Sequence, residues 1–388
     1  MTRATSIDAY RGFVMLLMLA EVLHLPRVAA QFRGDPIWEA VLFHTTHVEW
    51  RGCSLHDLIQ PSFSFLVGAA LAFSMAKRKA EGQSFSRAAL HAGWRAFALI
   101  ALGIVLRSVG KTQTNFTFED TLTQIGLGYF PLFLLAWARR GSTAWHWVTI
   151  SLLVVSYWAA FALFPTNLPH CVREPSEWPH HLTGFESHWE KNDNLAWCID
   201  HTLLNLLPRE SKFVANRGGY ATLSYFPTLA TMLLGLLAGG MLREPGSARV
   251  KLGVLGGIGA GLLAAGWAFD TLGVCPMVKR IWTPSWVLYS GGWCFLLLAF
   301  FHASTDALGY RGWSYPLRVI GANSILIYCV AEVPITGFIV GTFKTHFGAN
   351  AFQFFGPRAE PVVAGAAVLA VYWLGLWWMY TKKVFVRI

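Results

Sequence analysis

Apolar residues recur along this chain in runs of about twenty, separated by short polar breaks, over most of its length. A helix rising 1.5 Å per residue needs about that many residues to cross a hydrocarbon core of ~30 Å. Runs near 10–25, 55–76, 94–109, 122–138, 143–164, 221–242, 252–273, 284–303, 316–343 and 361–381 predict about ten transmembrane helices. The expected fold is all-α, a polytopic membrane bundle. With no repeat, low-complexity tract or soluble segment in view, residues 1–388 are read as a single transmembrane domain with one long loop at about 165–219.

Ionisable groups inside such runs are costly and mark polar paths or sites. Glu21 and His24 share one face of the first run, three residues apart. The stretch FHTTHVEWRGCSLHDLIQPSF (43–63) precedes and enters the second. There Ser54-x-x-Asp57 has the form of a capping box, so Asp57 has a purely structural reading as a helix cap. Asp57, Gln60, Ser64 and Gly68 also fall on one face, and Pro61 leaves the Asp57 carbonyl without its helical partner, predicting a kink. In the ninth run Ser324, Tyr328 and Glu332 follow at four-residue steps beside Asn323. Measured from Pro316, Glu332 stands ~24 Å up the helix, and Glu21, His24, His47, Asp57 and Glu332 are expected to converge at one depth.

Composition strengthens the membrane reading. Of 388 residues 54% are apolar and 13% charged, with mean hydropathy +0.44, against about 25% charged in soluble domains. The net charge of +10 arises from basic residues flanking the apolar runs, not from an aromatic-interleaved patch, so nucleic acid is not an expected partner. Lys77, Arg78, Lys79, Arg87, Arg139, Arg140, Arg243, Arg249, Lys251, Lys382 and Lys383 fall on one side if the spans alternate, which predicts both termini inside. Asp8, Glu21 and His24 argue against reading the first run as a cleaved signal peptide. Cys171 and Cys198, in the long loop, are the expected disulfide pair if that loop lies in an oxidising compartment.

Histidine exchanges protons near neutral pH, and a neighbouring carboxylate fixes its tautomer. His47 with Asp57, Glu49 or Glu21 is therefore a candidate acid–base pair. His44-x-x-His47 also suggests a metal pair, but it matches no strong zinc signature, and no metal is expected. A proton-coupled or solute transporter using Glu21, His24, Asp57 and Glu332 is the competing reading.

SIDAYRGFVMLLM (6–18) and HVEWRGCSLHDLIQPSFSFLVG (47–68) resemble the opening of the catalytic region of the heparan-α-glucosaminide N-acetyltransferase family and its bacterial relatives. The likeness continues through LTQIGLGY (122–129), NLAWCID (194–200), TLSYFPTLATMLLGLLAG (222–239), KRIWTPSWVL (279–288) and PLRVIGANSILIY (316–328). The resemblance implies an integral, inner-membrane acyltransferase moving acetyl from cytoplasmic acetyl-CoA to an amino sugar or other carbohydrate on the far side. It places the family's catalytic histidine on His47 and its following aspartate on Asp57. Glu21, His24, Trp50, Gln60 and Glu332 become candidates for the acceptor, and Gln124, Trp282, Ser285, Arg318 and Asn323 for the acetyl-CoA donor. A homodimer is left open. Arg51, Thr123-Gln124 and the Leu19–Val22 stretch depart from the family's usual residues.

Overall fold

The computed structural model describes residues 4–138, 142–166, 174 and 178–386. In chain order the α-helices are α1 (Thr5–Leu19), α2 (Leu25–Ala29), α3 (Pro36–His44), α4 (Ile59–Ala80), α5 (Phe85–Ser108), α6 (Thr121–Ala138), α7 (Thr143–Ala162) and α8 (Leu195–Leu203). They continue with α9 (Tyr225–Arg243), α10 (Ala248–Thr271), α11 (Pro284–Phe301), α12 (Tyr315–Ala322), α13 (Ser324–Glu332), α14 (Ile335–Phe347) and α15 (Glu360–Thr381). Among the described residues eight helices are long and apolar enough to cross a membrane, or up to ten spans if each of two bent helix pairs is one. The chain is an all-helical polytopic membrane bundle. Cys171, one half of the expected disulfide, and the basic pair Arg139-Arg140 lie outside the described residues.

The chain divides into two compact units. The first comprises Glu49–Gly52 and Gln60–Phe300. Within a bilayer, lipid tails are as apolar as leucine, so helices associate through close packing rather than hydrophobic burial. α4 and α9 meet in that way. A Cβ added at Gly68 would overlap the Met232 carbonyl, and one at Gly235 would overlap the Phe65 carbonyl, so both positions need glycine for backbone to approach backbone. The described part of the long loop forms a packed cap: Trp189 and Ala196 join Trp50, Tyr157, Phe161, Ala221 and Ile281 in one buried cluster. Trp50 Nε1 donates to the Trp189 carbonyl at 3.2 Å, and Tyr157 donates to the Ile281 carbonyl at 2.7 Å.

The second unit comprises Ala4–Val48, Cys53–Ile59 and the chain from Phe301 onward. α1 lies against α12, where Gly12 meets the Leu317 backbone and Gly321 meets that of Asp8. A π-helical turn, His302–Ala307, brings Asp306 to the start of α1, and its carboxylate accepts the Thr5 and Ser6 N–H groups, both at 3.2 Å. Unpaired N–H groups at a helix start favour such an acceptor.

Two breaks differ from the uninterrupted runs read in the sequence. The first apolar run bends by 50° at His24, which takes a left-handed φ of +49°. The ninth, read as one helix over 316–343, is three pieces: it breaks at Asn323 and again at Val333-Pro334, where the bend is 74°. Pro334 has no N–H and forces the preceding residue out of the helical region, and Val333 is accordingly extended (φ −100°, ψ 143°). The straight 24 Å rise from Pro316 to Glu332 therefore does not hold.

Candidate active site

Residues 44–58 of the second unit assemble a polar cluster. α3 stops because Thr45 and Thr46 turn their hydroxyls back onto the Val41 and Leu42 carbonyls, at 2.6 and 2.8 Å, instead of continuing the helix. His47 follows on the released chain. Ten residues on, Asp57 sits in a 3-10 turn that leads into α4.

Asp57 is 1% exposed, and its carboxylate is surrounded by donors. Oδ2 accepts from Val48 N at 3.2 Å, Ser54 N at 3.1 Å and Ser54 Oγ at 2.9 Å. Oδ1 lies 2.8 Å from His47 Nδ1. Because a carboxylate only accepts, Nδ1 carries the hydrogen and Nε2 the lone pair when the ring is neutral. The His47 side chain is 38% accessible. A buried acid thus orients an accessible imidazole, the arrangement that makes histidine a general base.

His56 stands on the other side of that ring, with centroids 4.4 Å apart, and its Nε2 lies 3.1 Å from Glu21 Oε1. His44 Nδ1 accepts the Leu55 N–H at 3.3 Å. Of the residues expected to converge, the structure brings together Glu21, His47 and Asp57, and adds His56. His56 carries no such signal in the sequence, since its partner is 35 positions away and no local spacing marks it.

His24 lies elsewhere in this unit. With Arg27, Thr336, Lys344 and Glu360 it lines a smaller cavity of about 240 Å³, where Lys344 Nζ pairs with Glu360 Oε1 at 2.7 Å. Glu332 ends α13, exposed, and lines neither this cavity nor the one beside His56. Asn323, at the α12–α13 break, binds the C-terminal segment: Nδ2 donates to the Val384 carbonyl at 3.1 Å and Oδ1 accepts the Val386 N–H at 2.8 Å. Arg318 donates to the Arg311 carbonyl at 3.3 Å, and among the described residues its buried Nε has no acceptor.

The other candidates belong to the first unit. Trp50 is in the buried loop cluster, and Gln60 opens α4, its carbonyl accepting from Ser64 Oγ at 3.2 Å. Gln124 Nε2 serves the carbonyls of Phe118 (2.7 Å), Ala221 (3.3 Å) and Thr222 (3.1 Å). Trp282, at a left-handed φ of +51°, donates to Thr231 Oγ1 at 3.1 Å. Ser285 Oγ donates to the Pro276 carbonyl at 2.7 Å. Three of these, Gln124, Trp282 and Ser285, therefore hold loops to helices by hydrogen bonds.

Arg51, read only as a departure from a pattern, has a clear partner set. Its Nε meets Asp270 Oδ1 at 2.9 Å, one terminal nitrogen meets Glu186 Oε2 at 3.2 Å, and the other donates to the Asp270 carbonyl at 2.7 Å. Within the loop helix α8, Asp200 is buried and accepts the Thr222 N–H at 2.9 Å. Burial pushes its carboxyl up to about 6, against that hydrogen bond, and burial likewise raises Glu119. Among the described residues no group of three or more His, Cys, Asp or Glu is placed to hold a metal ion.

No protein-family model matches the chain. Among curated proteins it is similar to heparan-alpha-glucosaminide N-acetyltransferase of Homo sapiens, 24% identical over 374 residues, and to the protein of the same name in Mus musculus, 22% identical over 377. Each match covers 85% of this chain and 53% of the relative. The chain spans about half the length of the curated relatives it matches. The likeness supports a relationship at the level of family and no finer.

Proposed function

We propose that this protein is a transmembrane acyltransferase that moves an acetyl group from acetyl-CoA to an amino sugar or related carbohydrate, with His47 as the base. One observation carries the reading: the 2.8 Å contact of His47 Nδ1 with the buried Asp57, in a chain similar over most of its length to named N-acetyltransferases.

His47 Nε2 takes a proton from the acceptor amine as its nitrogen bonds to the thioester carbonyl carbon. The C–S bond breaks and the leaving thiolate recovers that proton from the imidazolium, which Asp57 stabilises meanwhile. In a two-step variant, Nε2 itself takes the acetyl group and passes it to the amine. Both routes use the same tautomer. Acetyl-CoA carries phosphates that cannot enter lipid, so its head stays at a membrane face near arginines, with the thioester arm reaching inward. Arg318 fits that need, since among the described residues its buried Nε has no acceptor. The acceptor is on the far side, the periplasmic one in a bacterial inner membrane.

The test is purified protein in lipid nanodiscs with labelled acetyl-CoA and glucosamine. Transfer is expected for the native chain, with a loss of about 10²- to 10⁴-fold in kcat for His47→Ala. A native chain that does not consume acetyl-CoA overturns the reading. Label trapped on the protein in the absence of acceptor selects the two-step route.

A further inference from the structure

α3 is built as if for lipid. Its sequence, PIWEAVLFH, is largely apolar, yet none of its residues is buried, and Ile37 is 74% exposed. In water that surface is unfavourable; facing acyl chains it costs nothing. Between α3 and the bent end of α1 lies a cavity of about 630 Å³, within the usual size of small-molecule sites.

The walls are Leu17, Leu25, Pro26, Ile37, Val41 and Leu55, and the polar groups among them include Glu21, His44 and His56. His56 also touches His47, ring on ring at 4.4 Å. The cavity is therefore greasy over most of its lining and reaches, through one side chain, the imidazole assigned to acyl transfer.

A free sugar does not suit such walls. Each hydroxyl in the apolar part would give up its hydrogen bonds to water and find no partner in exchange. A hydrocarbon chain suits them, and the exposed apolar face of α3 lets it enter sideways from the bilayer. Resting on the acyl-transfer reading of His47, we propose that this cavity seats the hydrocarbon anchor of the acceptor, which is an amino sugar carried on an alkyl or acyl chain. The tail in the cavity places the amine at His47 Nε2. The amine then loses its proton to that nitrogen, bonds to the thioester carbonyl carbon and releases the thiolate, as above.

The experiment compares methyl, octyl and dodecyl glucosaminides as acceptors for the native chain and for Ala40→Trp, in detergent-free nanodiscs. Ala40 lines the cavity and is exposed, so the bulkier side chain fills the space without displacing a core. The native KM should fall by at least about tenfold from methyl to dodecyl, which corresponds to about 1.4 kcal/mol. Ala40→Trp should erase that difference and leave kcat/KM for the methyl compound within about twofold. Equal KM values along the series, or a chain-length preference that survives Ala40→Trp, overturn the proposal.

A second measurement does not depend on turnover. A photoreactive dodecyl glucosaminide crosslinked to the native chain should label peptides within residues 36–45, and labelling confined to other segments counts against the cavity. Labelling there with no acetyl transfer would keep the amphiphile site and remove the acyl-transfer reading. Transfer without chain-length dependence does the reverse.

Discussion

Ser54 and Asp57 hold each other across a single turn. The Asp57 N–H reaches Ser54 Oγ at 3.3 Å, while the Ser54 N–H and hydroxyl reach Asp57 Oδ2 at 3.1 and 2.9 Å. This is a capping box, and it is also what aims the second carboxylate oxygen at His47. The structural and the functional readings of Asp57 are therefore not alternatives, because the cap supplies the orientation.

Asp57→Asn separates the two. The amide oxygen can still accept from Ser54 and Val48, but the amide nitrogen then donates to His47 Nδ1. That puts the ring hydrogen on Nε2 and removes the base. On the proposed function, kcat should fall by about 10²- to 10⁴-fold, with a thermal midpoint close to that of the native chain. A mutant of full activity would sink the assignment of Asp57, whatever becomes of the acyl-transfer reading.

Ser54→Ala should show the opposite balance. Two backbone N–H groups still hold Asp57 Oδ2, so the carboxylate stays near its place. Loss of the hydroxyl should cost about 1 kcal/mol of stability, read as a lower thermal midpoint, with kcat reduced only a few-fold. A loss of activity as large as for Asp57→Asn would mean that the hydroxyl does more than cap.

Much of this site and most of the bundle could be read along the chain, for a physical reason. A bilayer demands about twenty apolar residues per span, and a capping box is a three-residue spacing, so both leave a local mark. The bends at His24 and Val333 leave a weaker one: Pro26 and Pro334 stand in the sequence, but a proline in a membrane helix can kink it, break it or do neither. The Glu21–His56 pair and the Arg51 set leave none, since their partners lie 35 to 219 positions away. Asn323 and Gln124 stood out as polar residues in apolar runs. In the structure their amides tie backbone segments together, a use that composition does not distinguish from ligand binding.

Arg51→Lys tests whether the guanidinium fork matters. Lysine carries the charge but cannot meet Asp270 at both its carboxylate and its carbonyl while also reaching Glu186. The side chain is 36% accessible, so solvent screening limits the loss to about 1–2 kcal/mol. The check is thermal unfolding in detergent at low and high salt: Arg51→Lys should lie below the native chain at both, since a geometric loss is screened less than a Coulombic one. An unchanged midpoint would reduce the network to a surface feature.

Asp200 predicts a pH dependence of stability. Its carboxyl is raised from 3.8 to about 6, chiefly by burial, so the folded chain binds its proton more tightly than the unfolded chain does. Between about pH 4 and 6 the folded state therefore holds more protons, and stability falls as pH rises through that window, by at most roughly 3 kcal/mol. Above it this residue contributes no further slope. Asp200→Asn keeps an oxygen for the Thr222 N–H and has no charge to desolvate, so it should flatten that part of the profile and be the more stable form at pH 7. The raised carboxyl of Glu119 acts in the same direction, and Asp200→Asn with Glu119→Gln should flatten the curve further than either alone. Thermal midpoints of the four proteins from pH 4 to 8 decide it: a native midpoint that climbs steadily from pH 4 to 6, and a single mutant that follows it, would show that Asp200 ionises as an ordinary carboxylate.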